Sequence, residues 1–270
     1  MSTESRDERM ERAAATNELH RPVEVTGETV VRPATPASAT VHAFLRHLGA
    51  QGLTSVPEPL ALDGETETLR FIPGDSGGDG WRHQHDERGL RSAARLLREL
   101  HDASVGWVPP DGAVFVPPAD DERDPDPSYG DEVVFCQGDP GPWNFVWHDR
   151  EAVALLDWDF LHPGRRVDDV AYALIWFAPL RDDDDCLVWH HFPELPDRRA
   201  RVEAFLDAYG WAGDLDVAEA AIQRRWRTVA TLRALAEAGV EPQRTWVEEG
   251  SIGDELAEIR WIEDNRRLLD

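Results

Sequence analysis

The chain has 270 residues, 41% of them hydrophobic, and a formal net charge of -25. That length suits one large domain or two small lobes; no apolar run reaches the roughly 20 residues of a membrane span; and so acidic a surface repels nucleic acid, which is bound through clustered cations. All 28 residues in the lysine-plus-arginine count are arginine, which excludes a lysine-bearing G-x-x-x-x-G-K-S/T phosphate loop and leaves arginine or a metal to grip any phosphate.

Residues 1–20 read as a loosely held tail, because Met1 to Thr16 is charged and has no apolar core of the kind a secretory signal carries. Arg21 to Val25 and Glu28 to Arg32 read as two strands around Thr26-Gly27. Ser38 is placed to cap a helix along which Val41, Phe44, Leu45 and Leu48 recur at helical spacing, and Gly52 can end it in a left-handed conformation. Pro59 to Asp63 and Glu67 to Ile72 form a second hairpin around Gly64-Glu65. Residues 21–74 thus predict a small N-terminal lobe, and Pro73 to Gly80, rich in glycine and aspartate, predicts a linker.

Residues 75–270 form the larger unit. Asp86 caps a helix carrying Leu90, Ala94, Leu97, Leu100 and His101, and Pro109 to Gly130 reads as a surface loop. Strand-like Val133 to Phe135, Phe145 to His148 and Ala152 to Leu156 follow, the last two joined by a turn at Asp149-Arg150. From Asp168 the pattern is mainly helical, clearest over Ala218 to Ala238. Cys136 and Cys186, two cysteines in a chain of this length, make no disulfide scaffold and no zinc site; they read as buried, reduced thiols, which makes a cytoplasmic location the expectation. Asp182 to Asp185 is either a solvated loop or an acidic rim for a cationic substrate, and His190-His191 read as surface or core histidines.

Two segments at the ends of apolar runs carry chemistry: Cys136-Gln137-Gly138-Asp139-Pro140-Gly141-Pro142-Trp143-Asn144 and Leu155-Leu156-Asp157-Trp158-Asp159. Asn144 and Asp157 supply the hard oxygen atoms that Mg²⁺ prefers, and Asp139 can accept the proton of an attacking hydroxyl. A base beside a metal-held phosphate is the toolkit of phosphoryl transfer. Trp143 either packs under this loop or stacks on a substrate.

Gln137-Gly138-Asp139 followed by Asn144 resembles the H-G-D-x-x-x-x-N catalytic loop of aminoglycoside phosphotransferases and choline kinases. Asp157-Trp158-Asp159 resembles their I-D-W-E/D segment, and the stretch from Pro163 to Ala171 resembles the P-x-x-D-L-A that follows it. The resemblance implies an α+β, protein-kinase-like two-lobed fold, with a reduced antiparallel-sheet lobe and a mainly helical C-terminal lobe. It implies a kinase that moves the γ-phosphate of ATP or GTP to a hydroxyl of a small-molecule acceptor. Asp139 is then the base, Asn144 and Asp157 hold Mg²⁺, and Asp159 aids a second metal or steadies the loop. Asp169 caps its helix and braces the catalytic loop. Leu69 to Gly74 is the hinge, with Leu69 and Phe71 meeting the nucleotide base through their backbone.

The sequence departs from that pattern in three places. Gln137 stands where the family has histidine, and its amide can brace the loop instead. The phosphate-gripping lysine is missing, with Arg32 the best substitute, although a planar guanidinium differs from a point charge. The helix that should supply a glutamate partner has none from Val41 to Ala50, only His42 and His47, and no glycine-rich loop precedes Arg32. These departures motivate an alternative, a pseudokinase that binds nucleotide or ligand without turnover. A metal-dependent hydrolase is a third reading, without the histidine cluster that tight metal binding asks for.

Overall fold

In the computed structural model the described residues are 22–116, 132–188, 190 and 192–269. The tail expected at residues 1–20 and most of the loop expected at 109–130 lie outside them.

The N-terminal lobe is a four-stranded antiparallel sheet of order β1-β2-β4-β3, built from β1 (Glu24–Thr26), β2 (Thr29–Pro33), β3 (Pro59–Leu62) and β4 (Thr66–Arg70). Helix α1 (Ser38–Ala50) lies between β2 and β3 in sequence. Gly52 takes φ +89 just past its end, as the left-handed stop requires. Ser38 is not the cap: Ala37 holds that position, and the Ser38 hydroxyl accepts from the Thr35 N–H at 2.9 Å. The tight turn at Thr35 captures the hydroxyl before the helix can use it.

The linker expected at 73–80 is docked rather than loose. Asp75 exchanges two backbone hydrogen bonds with Trp147, at 3.1 and 2.8 Å, and a 3-10 turn runs from Gly77 to His85. Composition marks the stretch as polar but cannot show a backbone bridge. Asp86 caps α2 (Glu87–Ser104), accepting from the Arg88 N–H at 2.9 Å, and the five positions expected on its inner face are all buried.

Two small antiparallel pairs follow: β5 (Val134–Cys136) with β8 (His162–Gly164), and β6 (Phe145–His148) with β7 (Glu151–Leu155). The Asp149-Arg150 turn between the latter has positive φ at both residues, the conformation that two-residue hairpins favour. The rest is helical: α3 (Arg166–Phe177), α4 (Asp183–Val188), α5 (Arg198–Tyr209), α6 (Val217–Glu237), α7 (Gln243–Glu248) and α8 (Ser251–Asp264). Asp182 to Asp185 thus leads into a short helix instead of forming a loop, and Asp183 pairs with Arg198 at 2.8 Å. Both cysteines are buried and unbridged. No described helix is long and apolar enough to cross a membrane.

One continuous core joins the lobes. Phe44 of α1 packs on Trp107, Phe135 and Trp158 with ring centroids 4.8, 5.7 and 5.3 Å away. The N-terminal helix therefore rests directly on the residue that follows Asp157.

Candidate active site

Strand β5 delivers the chain to Gln137 at the edge of the core. Gly138 turns with φ +90, and a Cβ there would stand 2.5 Å from the Phe160 carbonyl oxygen, so only glycine lets the two motif loops touch. Gln137 is buried and links those loops. Its amide nitrogen donates to the carbonyls of Leu156 (3.0 Å) and Asp157 (2.5 Å), and its amide oxygen accepts from the Asp139 N–H at 2.7 Å. Glutamine therefore braces this loop with both ends of its amide.

Below the loop, the buried carboxylate of Asp169 accepts from the N–H groups of Gln137 (2.7 Å) and Gly138 (2.9 Å) and lies 3.2 Å from His101, which also contacts the Tyr209 hydroxyl. Burial opposes the Asp169 charge, but His101 and these N–H groups hold its pKa below the ordinary carboxylate value. Asp169 braces the loop as expected. Capping of α3 falls to its neighbour Asp168, which accepts from the Arg165 N–H at 3.0 Å, because helix phase turns one carboxylate back to the helix start and the next toward the loop.

The Asp139 carboxylate accepts from the Tyr172 hydroxyl, from the Trp143 indole at 3.3 Å and from the Asn144 amide nitrogen at 2.9 Å. Burial, reinforced by the nearby Asp157 charge, outweighs the Tyr172 hydrogen bond and raises the Asp139 pKa to about 6. The Asn144 nitrogen also donates to the Asp139 carbonyl at 2.8 Å, so its amide oxygen turns away from Asp139. Asp157 sits in the left-handed region at φ 51 and ψ 72, a strained position for a residue with a side chain, and 47% of its side chain is exposed.

Arg32 reaches the second motif loop from the sheet. Its guanidinium donates to Glu67 at 2.7 Å, Asp157 at 2.8 Å and Asp159 at 2.9 Å. Burial works against its charge, and Asp157 and Glu67 overcome this, leaving its pKa above the ordinary arginine value. Glu67 is 1% exposed, and His42 of α1 meets its other oxygen at 3.0 Å. The acidic partner missing from the helix is thus supplied by a strand: Arg32 and Glu67 are direct cross-strand neighbours of β2 and β4. The sequence reading missed this pair, because a helix and β3 separate the two strands and no turn fixes their register.

Five of the expected site residues fall in two neighbouring groups, Arg32 with Asp157 and Asp159, and Asp139 with Asn144, close enough for the Asp157 charge to act on Asp139. The two expected at the hinge do not join them. Leu69 lies within β4, between partners on β2 and β3, and its side chain is in the core. The Phe71 N–H donates to the Glu28 carbonyl at 2.8 Å and is not free for a base. The strand predicted to end at Ile72 ends at Arg70, and the Phe71 N–H extends its pairing by one more bond.

On the opposite side of Asp139 stand Trp81, Trp143 and Trp176, with ring centroids 4.7 to 5.7 Å apart. Trp143 both packs in this group and donates to Asp139. Arg224 lies 4.4 Å over the Tyr172 ring and donates to the Gly138 carbonyl at 2.5 Å, and Arg181 lies 4.5 Å over Trp176.

The chain has relatives among known proteins. A family model described as the phosphotransferase enzyme family matches residues 19–126. The trifolitoxin immunity protein of Rhizobium leguminosarum bv. trifolii is 31% identical over 189 residues, 68% of either chain. The chain belongs to the phosphotransferase enzyme family. Solved structures show the protein-kinase-like fold expected of the family. A choline/ethanolamine kinase family protein from Mesorhizobium loti superposes with TM-score 0.60 at 16% identity, over 97% of each chain. Spectinomycin phosphotransferase, solved with ADP and spectinomycin, gives 0.57 at 12% identity, over 93% of this chain and 94% of its own. Amicoumacin kinase, solved with AMP-PNP and Ca²⁺, gives 0.55 at 13% identity, over 97% and 93%.

Proposed function

We propose that this family member transfers the γ-phosphate of ATP or GTP to a hydroxyl of a small molecule, with Asp139 as base. One observation carries the reading: Asn144 donates to Asp139, the Asp157 charge acts on Asp139, and the Arg32 cation sits on Asp157, so base, metal ligands and a phosphate-gripping cation stand together. Asp139 is held by three donors, so its carboxylate is oriented before an acceptor arrives, and positioning of this kind is a main source of rate in phosphoryl transfer. Arg32 contributes positive charge to the phosphates, in place of the absent lysine.

The donor set fits Mg²⁺. The Asn144 oxygen turned away from Asp139 and the exposed carboxylate of Asp157 are hard ligands, and a guanidinium already bridging Asp157 and Asp159 marks the spot as built for positive charge. When bound, the ion supplies charge neutralisation on the phosphates. Asp159 would share in holding it or steady the loop through Arg32. With Leu69 and Phe71 engaged in the sheet, the base contact passes to the backbone of Ile72 to Gly74.

The acceptor side is aromatic, and protein guanidinium groups already cover the faces of Trp176 and Tyr172. Its acids are committed as well: Glu255 pairs with Arg225, and Glu258 with Arg181 and Arg225. This favours an acceptor with a flat apolar surface over a polycation. An immunity protein among the relatives, and antibiotic kinases among the structures, support a toxin or antibiotic hydroxyl as the target.

The first test is a thermal-shift titration with ATP and GTP, each with and without Mg²⁺. At one hundred times its dissociation constant a nucleotide adds about 2.7 kcal/mol. The expected result is a Mg²⁺-dependent rise in Tm that Asp157→Asn loses; no rise with either nucleotide would refute the reading. Once an acceptor is in hand, kcat/KM should fall with decreasing pH through about 6, because Asp139 must be deprotonated to take a proton. A flat profile from pH 5 to 8 would remove Asp139 from that role.

A second reading, a nucleotide-binding module without turnover, is favoured by Arg32 engaging both Asp157 and Asp159. Rapid-quench measurement of γ-phosphate transfer against an antibiotic panel separates the two: a transferred phosphate eliminates the second reading.

A further inference from the structure

We infer that Cys136, His162 and Asp168 form a binding site for one transition-metal dication of the zinc class, directly beneath the catalytic loop. Cys136 and His162 are cross-strand partners of β5 and β8, and Asp168 lies in the first turn of α3. The thiol sulfur, an imidazole nitrogen and a carboxylate oxygen of these residues lie within 4.8 Å of one another.

The observation that points to a ligand is the histidine. His162 is 7% exposed, and its Nε2 is buried with no hydrogen-bond partner. Its Nδ1 lies 2.8 Å from the Phe160 carbonyl, which assigns the proton to Nδ1 and leaves Nε2 with a bare lone pair. That is the usual arrangement of a metal-ligating histidine, whose second nitrogen donates to a carbonyl or carboxylate. Left without a partner, a buried polar atom is costly.

Gly164 keeps the space between the three donors open. A Cβ built there would stand 2.7 Å from Asp168 Oδ2, 3.0 Å from Cys136 Sγ and 3.2 Å from His162 Nε2. From this spot, zinc-ligand bond lengths require the donors to close by about 1 Å. Gly164 is itself partly exposed, which gives an ion a way in.

Charge and softness agree. One thiolate and one carboxylate offset the two charges of a dication, and the Arg227 guanidinium, which is partly exposed, stays on the outer oxygen of Asp168. Thiolate and imidazole select zinc-like ions over Mg²⁺. The Cys136 thiol now donates to the Arg165 carbonyl at 3.3 Å; binding breaks that S–H bond, forms a sulfur–metal bond and releases one proton to solvent. Asp168 is already oriented, by Arg227 at 2.6 Å and the Arg165 N–H. The neighbouring set His101, Cys136 and Asp169 offers no such opening, since His101 is engaged with Tyr209 and Asp169. Counting cysteines set zinc aside at the sequence level; the remaining donors here are a histidine and an aspartate brought in by strand pairing and a helix start.

The test is titration of tag-free, metal-free, reduced protein with Co²⁺ under anaerobic conditions, followed by absorbance, with Zn²⁺ competition and metal content by mass spectrometry. The expected result is one equivalent bound with a sulfur-to-cobalt charge-transfer band. Zn²⁺ should displace it and excess Mg²⁺ should not. The band should vanish in Cys136→Ser, survive in Cys186→Ser, and need at least ~10-fold more Co²⁺ in Gly164→Ala. Wild-type protein that shows no charge-transfer band with one equivalent of Co²⁺ overturns the inference whatever the variants do, and so does a band that persists in Cys136→Ser. Neither readout depends on phosphoryl transfer.

Discussion

Asp139→Asn is expected to lower phosphoryl transfer by ~10²–10⁴-fold, the usual contribution of a positioned base, while nucleotide affinity stays near wild type. Asparagine can keep the local geometry. Its oxygen can take the place that accepts from Trp143 and Asn144, and its amide can donate to the Tyr172 hydroxyl, which now donates to Asp139. What disappears is the capacity to take a proton. Single-turnover phosphate transfer and nucleotide titration, run on the same preparation, check the two halves of the claim. Retained wild-type turnover would move the base elsewhere, and lost nucleotide binding would mean the substitution had collapsed the loop.

Glu67→Ala should be the most destabilising single change in the N-terminal lobe, at about 3–5 kcal/mol, the usual cost of removing one member of a buried ion pair. Its carboxylate is the shared partner of Arg32 and His42 and is almost completely enclosed. Burial alone would raise the Glu67 pKa, but the His42 hydrogen bond and Arg32 hold it below the ordinary value. A depressed carboxylate pKa stabilises the fold above the ordinary glutamate value, and this contribution is lost as pH falls through the folded value. The difference in unfolding free energy between wild type and variant, measured by chemical denaturation, should therefore shrink toward acidic pH. A loss under about 1 kcal/mol at neutral pH would place the network among solvated surface pairs.

The two motif loops were legible in the sequence because their information is local. The five-residue interval from Asp139 to Asn144 and the tripeptide at Asp157 each lie within a single loop, and the hairpin turn at Asp149-Arg150 was enough to predict that the two lie side by side. Gln137 was legible for the same reason, since an amide can both donate and accept. Residues whose role depends on register were not. Glu67 looks like any polar strand residue until β4 is set against β2. Tyr172 looks like one more position of the helix that starts at Arg166, and only the helix phase turns its hydroxyl to Asp139. The fully buried Arg225, held by Glu255 and Glu258 from α8, is hidden by the opposite error: composition assigns such charges to the surface, and only the packing of α6 against α8 shows that they pair inside.

The strand origin of Glu67 also bears on control. In protein kinases the glutamate that meets the phosphate-gripping lysine rides on a helix, and positioning of that helix decides whether the pair forms. Here cation and acid face each other across adjacent strands, 35 positions apart in sequence and fixed by the ladder between them. A one-residue slip would turn one of them to the other face of the sheet, so the pair breaks only if the sheet breaks. On the proposed function, activity would follow the supply of nucleotide and acceptor rather than the position of a swinging helix.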